Sequence, residues 1–258
     1  MILPDDWDKP GKENRKLCRK FEYASYSNDG ITLPYRLFRA DAKEPVPLVM
    51  YLHGADAVGT DNKKQLKLHD IGTMFAKQKW QEKHPCHIAA PQYDIAMHWS
   101  KDDIAWVFNS LVDKLCHDLN VDIKRLYIYG YSAGGVGTLK YLKDYPGKYA
   151  GAIAICGAVS VGKIEELKKT PLWMIHASDD NIVKATYMEP GLKKLYHYGS
   201  RDVYEKIGND AENLKYTELP GGYMADHYGV NPHCSWVEVS DDNNYQYREW
   251  LFQQKNDG

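Results

Sequence analysis

One serine in this chain stands where a nucleophile could be built. Ser132 lies in Gly130-Tyr131-Ser132-Ala133-Gly134, a G-x-S-x-G pentapeptide between the apolar run Leu126–Tyr129 and the helix-like run Val136–Leu142. A nucleophile at a sharp strand-to-helix turn needs small residues two positions to either side, because side chains there collide with the neighbouring strand and helix. Gly130 and Gly134 meet that need, and Gly135 adds room. The helix that follows aims its first amides at the site and favours negative charge there.

Serine chemistry also requires a base and a carboxylate that orients it. The strand-like run Leu172–Ile175 leads into His176-Ala177-Ser178-Asp179-Asp180-Asn181-Ile182-Val183. Asp180, three residues before Val183, fits an H-G-x-x-D-x-x-V spacing in which Ala177 stands for the glycine. Asp179 is the competing acid, or else a solvated turn residue. For the base there are His233, in His233-Cys234-Ser235-Trp236, and His227 on an aromatic loop; the position of His233 before a polar loop and a closing helix favours it. His53 comes too early in the chain and reads as a histidine that braces its own loop. An oxyanion would take one N–H from the loop after the Pro47–Leu52 strand and one from the residue after the nucleophile, which selects Ala55 and Ala133.

The elements that must carry these residues alternate. Lys20–Tyr26 and Ile31–Arg39 are strand-like and joined by Asn28-Asp29-Gly30, a hairpin signal. Pro47–Leu52, Ile88–Ala90, Leu126–Tyr129, Ala152–Ile155, Leu172–Ile175 and Leu214–Leu219 are short apolar strands. Helix-like stretches lie around His69–Lys79, at Ile104–Leu119 and Val136–Leu142, and at Tyr245–Gln254. Strands apolar on both faces that alternate with helices predict a mostly parallel sheet covered on both sides, with an antiparallel N-terminal hairpin. Chemistry gathers at the carboxyl ends of such strands. The order Ser132, Asp180, His233 after three separate strands is that of the α/β-hydrolase fold. No repeat or low-complexity linker divides residues 1–258, so one domain is expected, with 187–213 and 221–232 read as insertions that cover the active site.

Composition narrows the function. The formal net charge is -2, which offers no basic field for nucleic acid or an anionic membrane surface. No apolar run approaches the roughly 20 residues that span a bilayer. The polar start, Met1 to Lys20, lacks a signal-peptide core, so a cytoplasmic protein is expected, or a secreted one whose signal is not part of this sequence. Five cysteines, an odd number with no framework spacing and with Cys116 and Cys156 in apolar runs, read as buried free thiols, with a single disulfide as the open alternative. His84-Pro85-Cys86-His87 lacks a second convergent cluster, so no metal site and no cofactor are expected. Asp102-Asp103 read as caps of the helix that follows. Twenty tyrosines against five phenylalanines suit a wet, amphipathic surface or pocket.

These motifs resemble the α/β-hydrolase esterases grouped as predicted peptidases, relatives of feruloyl and acetylxylan esterases and of polyhydroxybutyrate depolymerases. The likeness runs through Leu33-Pro34-Tyr35-Arg36-Leu37, His53-Gly54-Ala55, Gly59-Thr60-Asp61-Asn62, Gln65-Leu66, Ala90-Pro91-Gln92, Trp99, the Ser132 pentapeptide with Gly135, Lys215-Tyr216-Thr217-Glu218 and His233-x-x-Trp236. Asp56-Ala57-Val58 departs from the Gly-Glu-Arg usual in that oxyanion loop. The resemblance implies a serine esterase that works through an acyl-enzyme, with no nucleic-acid or membrane partner and no assignable oligomeric state. The same triad would serve a peptidase or acyltransferase, and a non-catalytic binding module is the reading from another class. Trp99, Tyr131, Tyr223, Tyr228 and Trp236 are expected to touch substrate, which favours short acyl or hydroxycinnamoyl esters, carbohydrate-linked ones among them.

Overall fold

The apolar runs become the strands of one sheet. In the computed structural model, which describes residues 5–95, 97–187, 197–208 and 211–256, β1 (Glu22–Asn28), β2 (Ile31–Phe38), β3 (Val46–Leu52), β4 (His87–Pro91), β5 (Val121–Tyr131), β6 (Gly151–Ile155), β7 (Ala158–Ser160), β8 (Leu172–Ala177), β9 (His197–Gly199) and β10 (Leu214–Leu219) follow in chain order. Eight of them form the sheet β1-β2-β4-β3-β5-β6-β8-β10, while β7 and β9 make a separate antiparallel pair. β1 pairs antiparallel with β2, and β2 with β4; from β4 onward every pairing in the large sheet is parallel. The hairpin turn has Asp29 at φ 48° and Gly30 at φ 74°, the two positive values that match the twist of its strands. This is the α/β-hydrolase architecture.

β3 and β5 explain why the sheet is covered twice. Leu48, Met50 and Leu52 enter one apolar cluster with Leu126 and Ile128; Val49 and Tyr51 enter the other with Tyr127, Tyr129 and Tyr131. Alternate side chains point to opposite faces of a strand, so every residue of β3 is buried. The helices Asp102–Asp118 and Ala133–Asp144 fill the first face. The turns at Asp70–Ala76 and the closing helix Gln246–Gln253 fill the second.

Several expectations need correction. The single helix around His69–Lys79 is a 3-10 segment, Asp70–Ala76, followed after Lys77 by a helix at Gln78–Lys83. Residues Ile71 to Ala76 are all buried, so no solvated face is left to sustain an amphipathic helix there. The polar start hides a helix, Lys12–Cys18, that buries Asn14, Leu17 and Cys18. Asp102 and Asp103 lie inside the first turn after Lys101 rather than at the cap; Asp102 pairs with Lys140 at 2.6 Å, and Asp103 accepts from the Ile104 amide at 2.8 Å. Many tyrosines are core residues rather than a wet lining: Tyr51, Tyr127, Tyr129, Tyr131, Tyr141, Tyr149 and Tyr247 are fully buried. Several of their hydroxyls find partners at the edges of the core, as Tyr129 does by donating to the Ile71 carbonyl at 2.9 Å and Tyr127 to that of Gln254 at 2.8 Å, while that of Tyr141 is buried without one. All five cysteines are free; Cys116 is half-buried and the others buried. No helix among the described residues is long and apolar enough to cross a membrane.

Of the stretch 187–213, residues 188–196 and 209–210 lie outside the described residues. The rest supplies β9, a short helix at Ser200–Val203 and the turn Tyr204–Gly208. Half of the stretch 221–232 is the helix Tyr223–Tyr228.

Candidate active site

β5 carries Ser132 into position. It stands between the end of the strand and the helix Ala133–Asp144, with φ 52° and ψ -120°, a conformation that non-glycine residues rarely adopt. The turn is held by the Ser132 amide, which donates to the Ile155 carbonyl at 2.9 Å and lies 3.3 Å from Cys156 Sγ. The flanking glycines serve close approach. A Cβ on Gly134 would lie 2.0 Å from the Leu52 carbonyl oxygen, and one on Gly130 2.5 Å from that of Gly134. Ser132 itself is partly exposed, as a nucleophile must be.

The base and acid meet it from two other strand ends. His233 Nε2 lies 2.9 Å from Ser132 Oγ, and His233 Nδ1 lies 2.7 Å from Asp180 Oδ2. Asp180 follows β8 and is fixed by the amides of Ile182 and Val183, which donate to its Oδ1 at 2.8 and 3.0 Å. Burial opposes its charge, but hydrogen bonds from His176 and His233 hold its carboxyl well below the usual carboxylate range. It is therefore an anion placed to accept an Nδ1–H from His233, an arrangement that would turn Nε2 toward the Ser132 hydroxyl as an acceptor.

The structure separates the rivals. Asp179 is exposed and accepts from the Gly222 amide at 2.9 Å, which ties down the start of the 221–232 stretch. His227 is exposed, with Nδ1 3.0 Å from the Tyr223 carbonyl. His53 is fully buried; its Nε2 accepts from the Tyr93 amide at 3.3 Å and its Nδ1 meets the Gly54 carbonyl at 2.6 Å. Burial lowers it to about 4, so it braces the loop as a neutral ring.

Ala133 is the first residue of its helix and Ala55 the first of the 3-10 turn Ala55–Ala57, positions whose N–H groups have no partner within their own helix. The loop holding Ala55 is stapled from below. Gln92 accepts from the Asn62 amide at 2.6 Å and donates to the Ala57 carbonyl at 2.9 Å, while the Asn62 side chain donates to the Tyr35 carbonyl at 3.0 Å.

Three of the five rings expected to touch substrate cannot do so. Trp99, Tyr131 and Trp236 are at most 1% exposed. Trp99 donates to the His53 carbonyl at 3.0 Å and supports the oxyanion loop from behind. Tyr131 donates to Asp56 Oδ1 at 2.8 Å, and its ring lies 4.4 Å from that of Trp236. Tyr223 and Tyr228 are half-buried, but their hydroxyls turn to Glu238 at 3.0 and 2.8 Å. The candidate metal run is committed elsewhere: His84 pairs with Glu249 at 3.0 Å, Gln81 contacts buried Cys86 at 3.2 Å, and His87 accepts from the Ala40 amide at 3.1 Å.

Sequence reasoning missed the parts played by five residues beside Ser132, Asp180 and His233. His176 Nε2 is 2.8 Å from the Val183 carbonyl and 3.2 Å from Asp180 Oδ2, so the acid is held by two imidazoles. Its place at the head of the Asp180 motif was the available signal. Asp56, the departure in the oxyanion loop, is 2.5 Å from His69 Nε2, and the other face of that imidazole is 3.3 Å from Asp8, an ion pair not aligned as a hydrogen bond. Burial opposes the charge of His69, but its carboxylate partners raise it to about 9. Trp7 lies against the base, its ring centroid 5.9 Å from that of His233. Nothing local in sequence joins residues 7 and 8 to this site.

A doubly covered, mostly parallel sheet with a serine on a strained turn and a histidine and an aspartate from later parts of the chain beside it defines the class of architecture: the chain has the α/β-hydrolase fold. Residues 100–219 match the model of the phospholipase/carboxylesterase family. A segment of 92 residues is 29% identical to a bifunctional acetylxylan esterase/xylanase from Neocallimastix patriciarum, covering 35% of this chain and 13% of that protein. A thermostable esterase of known structure is 32% identical with a TM-score of 0.83; the match covers 93% of this chain and 64% of that one. The chain thus spans less than two thirds of either relative. An acylaminoacyl peptidase from Pyrococcus horikoshii (TM-score 0.64, 12% identity, 92% of this chain and 42% of that one) and a poly(3-hydroxybutyrate) depolymerase from Bordetella parapertussis (0.56, 13%, 89% and 99%) share the fold.

Proposed function

We propose that the protein is a serine carboxylic-ester hydrolase acting through an acyl-enzyme on short acyl esters, carbohydrate-linked acetyl esters first among them. The observation that carries this reading is the continuous chain from Ser132 Oγ through both nitrogens of His233 to Asp180, with steps of 2.9 and 2.7 Å. In the first half-reaction Ser132 Oγ attacks the ester carbonyl while His233 Nε2 takes its proton. The amides of Ala55 and Ala133 face the oxyanion. His233 then returns the proton to the departing alkoxide. In the second half-reaction His233 draws a proton from water, which attacks the acyl-enzyme, and Ser132 leaves with that proton.

The substrate class rests on the acetylxylan esterase/xylanase named among the relatives and on the phospholipase/carboxylesterase description of the matching family. With Trp99, Tyr131 and Trp236 buried, these rings support neither a hydroxycinnamoyl nor a sugar group, and the preference for carbohydrate-linked acetyl esters rests on the named relative. The test compares kcat/KM for acetyl, butyryl, dodecanoyl and feruloyl esters of comparable leaving groups. A preference for acetyl and butyryl over dodecanoyl supports the reading, and a dodecanoyl preference rejects it. Peptide hydrolysis that exceeds ester hydrolysis would move the protein to the peptidases.

A further inference from the structure

We propose that Trp7 walls the leaving-group side of the active site and forms there a subsite for a ring-shaped alcohol, a pyranose above all. The inference rests on the esterase reading above and names its alcohol-binding surface. Two indoles pack together on one side of the His233 ring, Trp7 at 5.9 Å and Trp236 at 5.7 Å from it and 5.6 Å from each other between centroids. Trp236 is fully buried and meets no solvent, whereas Trp7 is partly exposed. His233 is only 1% exposed. Of the two indoles, Trp7 is therefore the one that an incoming molecule can meet.

The chemistry fixes which part of an ester comes there. The protonated Nε2 of His233 must hand its proton to the leaving oxygen, so the alcohol half of the ester lies against the imidazole. An indole next to it offers a flat apolar face to a sugar ring, while the ring hydroxyls stay toward water.

Trp7 is also held in advance by the residues on either side of it. The Asp6 carbonyl accepts from the Asn231 amide at 2.6 Å, and the Asp6 carboxylate accepts from the Asn231 side chain at 3.0 Å. Asn231 in turn accepts from the His233 amide at 3.0 Å. On the other side Asp8 pairs with His69 at 3.3 Å and accepts from Trp236 Nε1 at 3.3 Å. The segment is thus fastened both to the loop of the base and, through His69 and Asp56, to the oxyanion loop. A side chain fixed before binding loses little freedom when a ligand packs on it.

The experiment holds the acyl group constant and varies the alcohol. Parent, Trp7→Ala and Trp7→Phe are compared on acetylated xylobiose and on ethyl acetate, with fluorophosphonate labelling to show that each variant is folded and has a working nucleophile. Trp7→Ala is expected to lower the ratio of kcat/KM for acetylated xylobiose over ethyl acetate about tenfold, mainly through KM, the size of one aromatic stacking contact. Trp7→Phe, which keeps a ring face, recovers most of that ratio. An equal loss on both substrates would mean that Trp7 only shields His233, and no change in the ratio would equally overturn the subsite. A parent that hydrolyses ethyl acetate and takes the label but ignores acetylated xylobiose sinks the subsite alone. A parent that neither labels nor turns over any ester sinks the esterase reading and the subsite with it.

Discussion

Two buried Asp–His pairs flank the turn at Ser132, and they differ in what stands at the far nitrogen of the imidazole. In one, His233 meets Asp180 at 2.7 Å on one side and the Ser132 hydroxyl at 2.9 Å on the other. In the second, His69 meets Asp56 at 2.5 Å and Asp8 at 3.3 Å. Both imidazoles are 1% exposed, so burial does not distinguish them. A hydroxyl at the far nitrogen leaves an acceptor that can take a proton; a second carboxylate stabilises the cation and removes that option. In the proposed mechanism the first pair carries the proton transfer. The other is a charged clamp that joins residue 56 of the oxyanion loop, Tyr131 of the nucleophile turn and residue 8 of the N-terminal segment. His53, on the far side of the same loop, has a carbonyl and an amide at its two ring nitrogens, and burial lowers it to about 4 against the opposing charge of Asp56. Partner chemistry, more than depth, therefore decides what each buried imidazole does.

The largest effects should fall on the proton-transfer pair. His233→Ala should abolish ester turnover, and Asp180→Asn should lower kcat roughly 10⁴-fold by allowing the wrong tautomer, as in other Ser-His-Asp sites. Both variants should keep a folded circular-dichroism spectrum. Loss of activity on His227→Ala or Asp179→Asn of comparable size would dissolve the distinction between the two regions.

The clamp should respond in stability first. Asp56→Asn leaves a buried imidazolium with one partner fewer, which costs about 3 kcal/mol and about 8 °C in Tm for a chain of this size. Its turnover should fall by about tenfold, less than one lost oxyanion donor, because the loop shifts while Ala55 remains. A clamp variant as inactive as His233→Ala would mean that His69, not His233, carries the proton.

A smaller effect is expected from pH. His69 is raised to about 9 in the folded chain, above the roughly 6.5 of a free histidine. Its contribution to stability is therefore complete below about pH 6.5 and is lost as pH rises through about 9. Melting curves from pH 7 to 10 should show the parent losing more Tm than His69→Gln, whose amide does not titrate. Parallel curves would deny the clamp its charge. Asp179→Asn should be the mildest change, within about twofold in kcat, since its carboxylate only accepts from the Gly222 amide.

Much of this was legible in the sequence. The apolar strands, the glycines around Ser132 and the spacing to Val183 are local signals, and each follows from close packing or turn geometry. The sheet and the meeting of residues 132, 180 and 233 could be anticipated from them. The role of the aromatics could not. Trp99, Tyr131 and Trp236 look from sequence like substrate platforms, but exposure is set by what packs above a ring, and that is long-range. The clamp and Trp7 were hidden for the same reason. Asp8, Asp56 and His69 lie far apart in the chain, and the 3-10 segment Asp70–Ala76 that follows His69 read from sequence as part of an ordinary helix.

The central claim, that Ser132 is a nucleophile activated by His233, can be read from one labelling experiment. The intact protein is incubated with an alkyl fluorophosphonate, digested, and the modified peptide identified by mass spectrometry. One adduct on Ser132 is expected, formed by the parent, absent from Ser132→Ala, and slowed at least a hundredfold in His233→Ala. A parent that stays unmodified, or an adduct on any other residue that survives Ser132→Ala, would contradict the account.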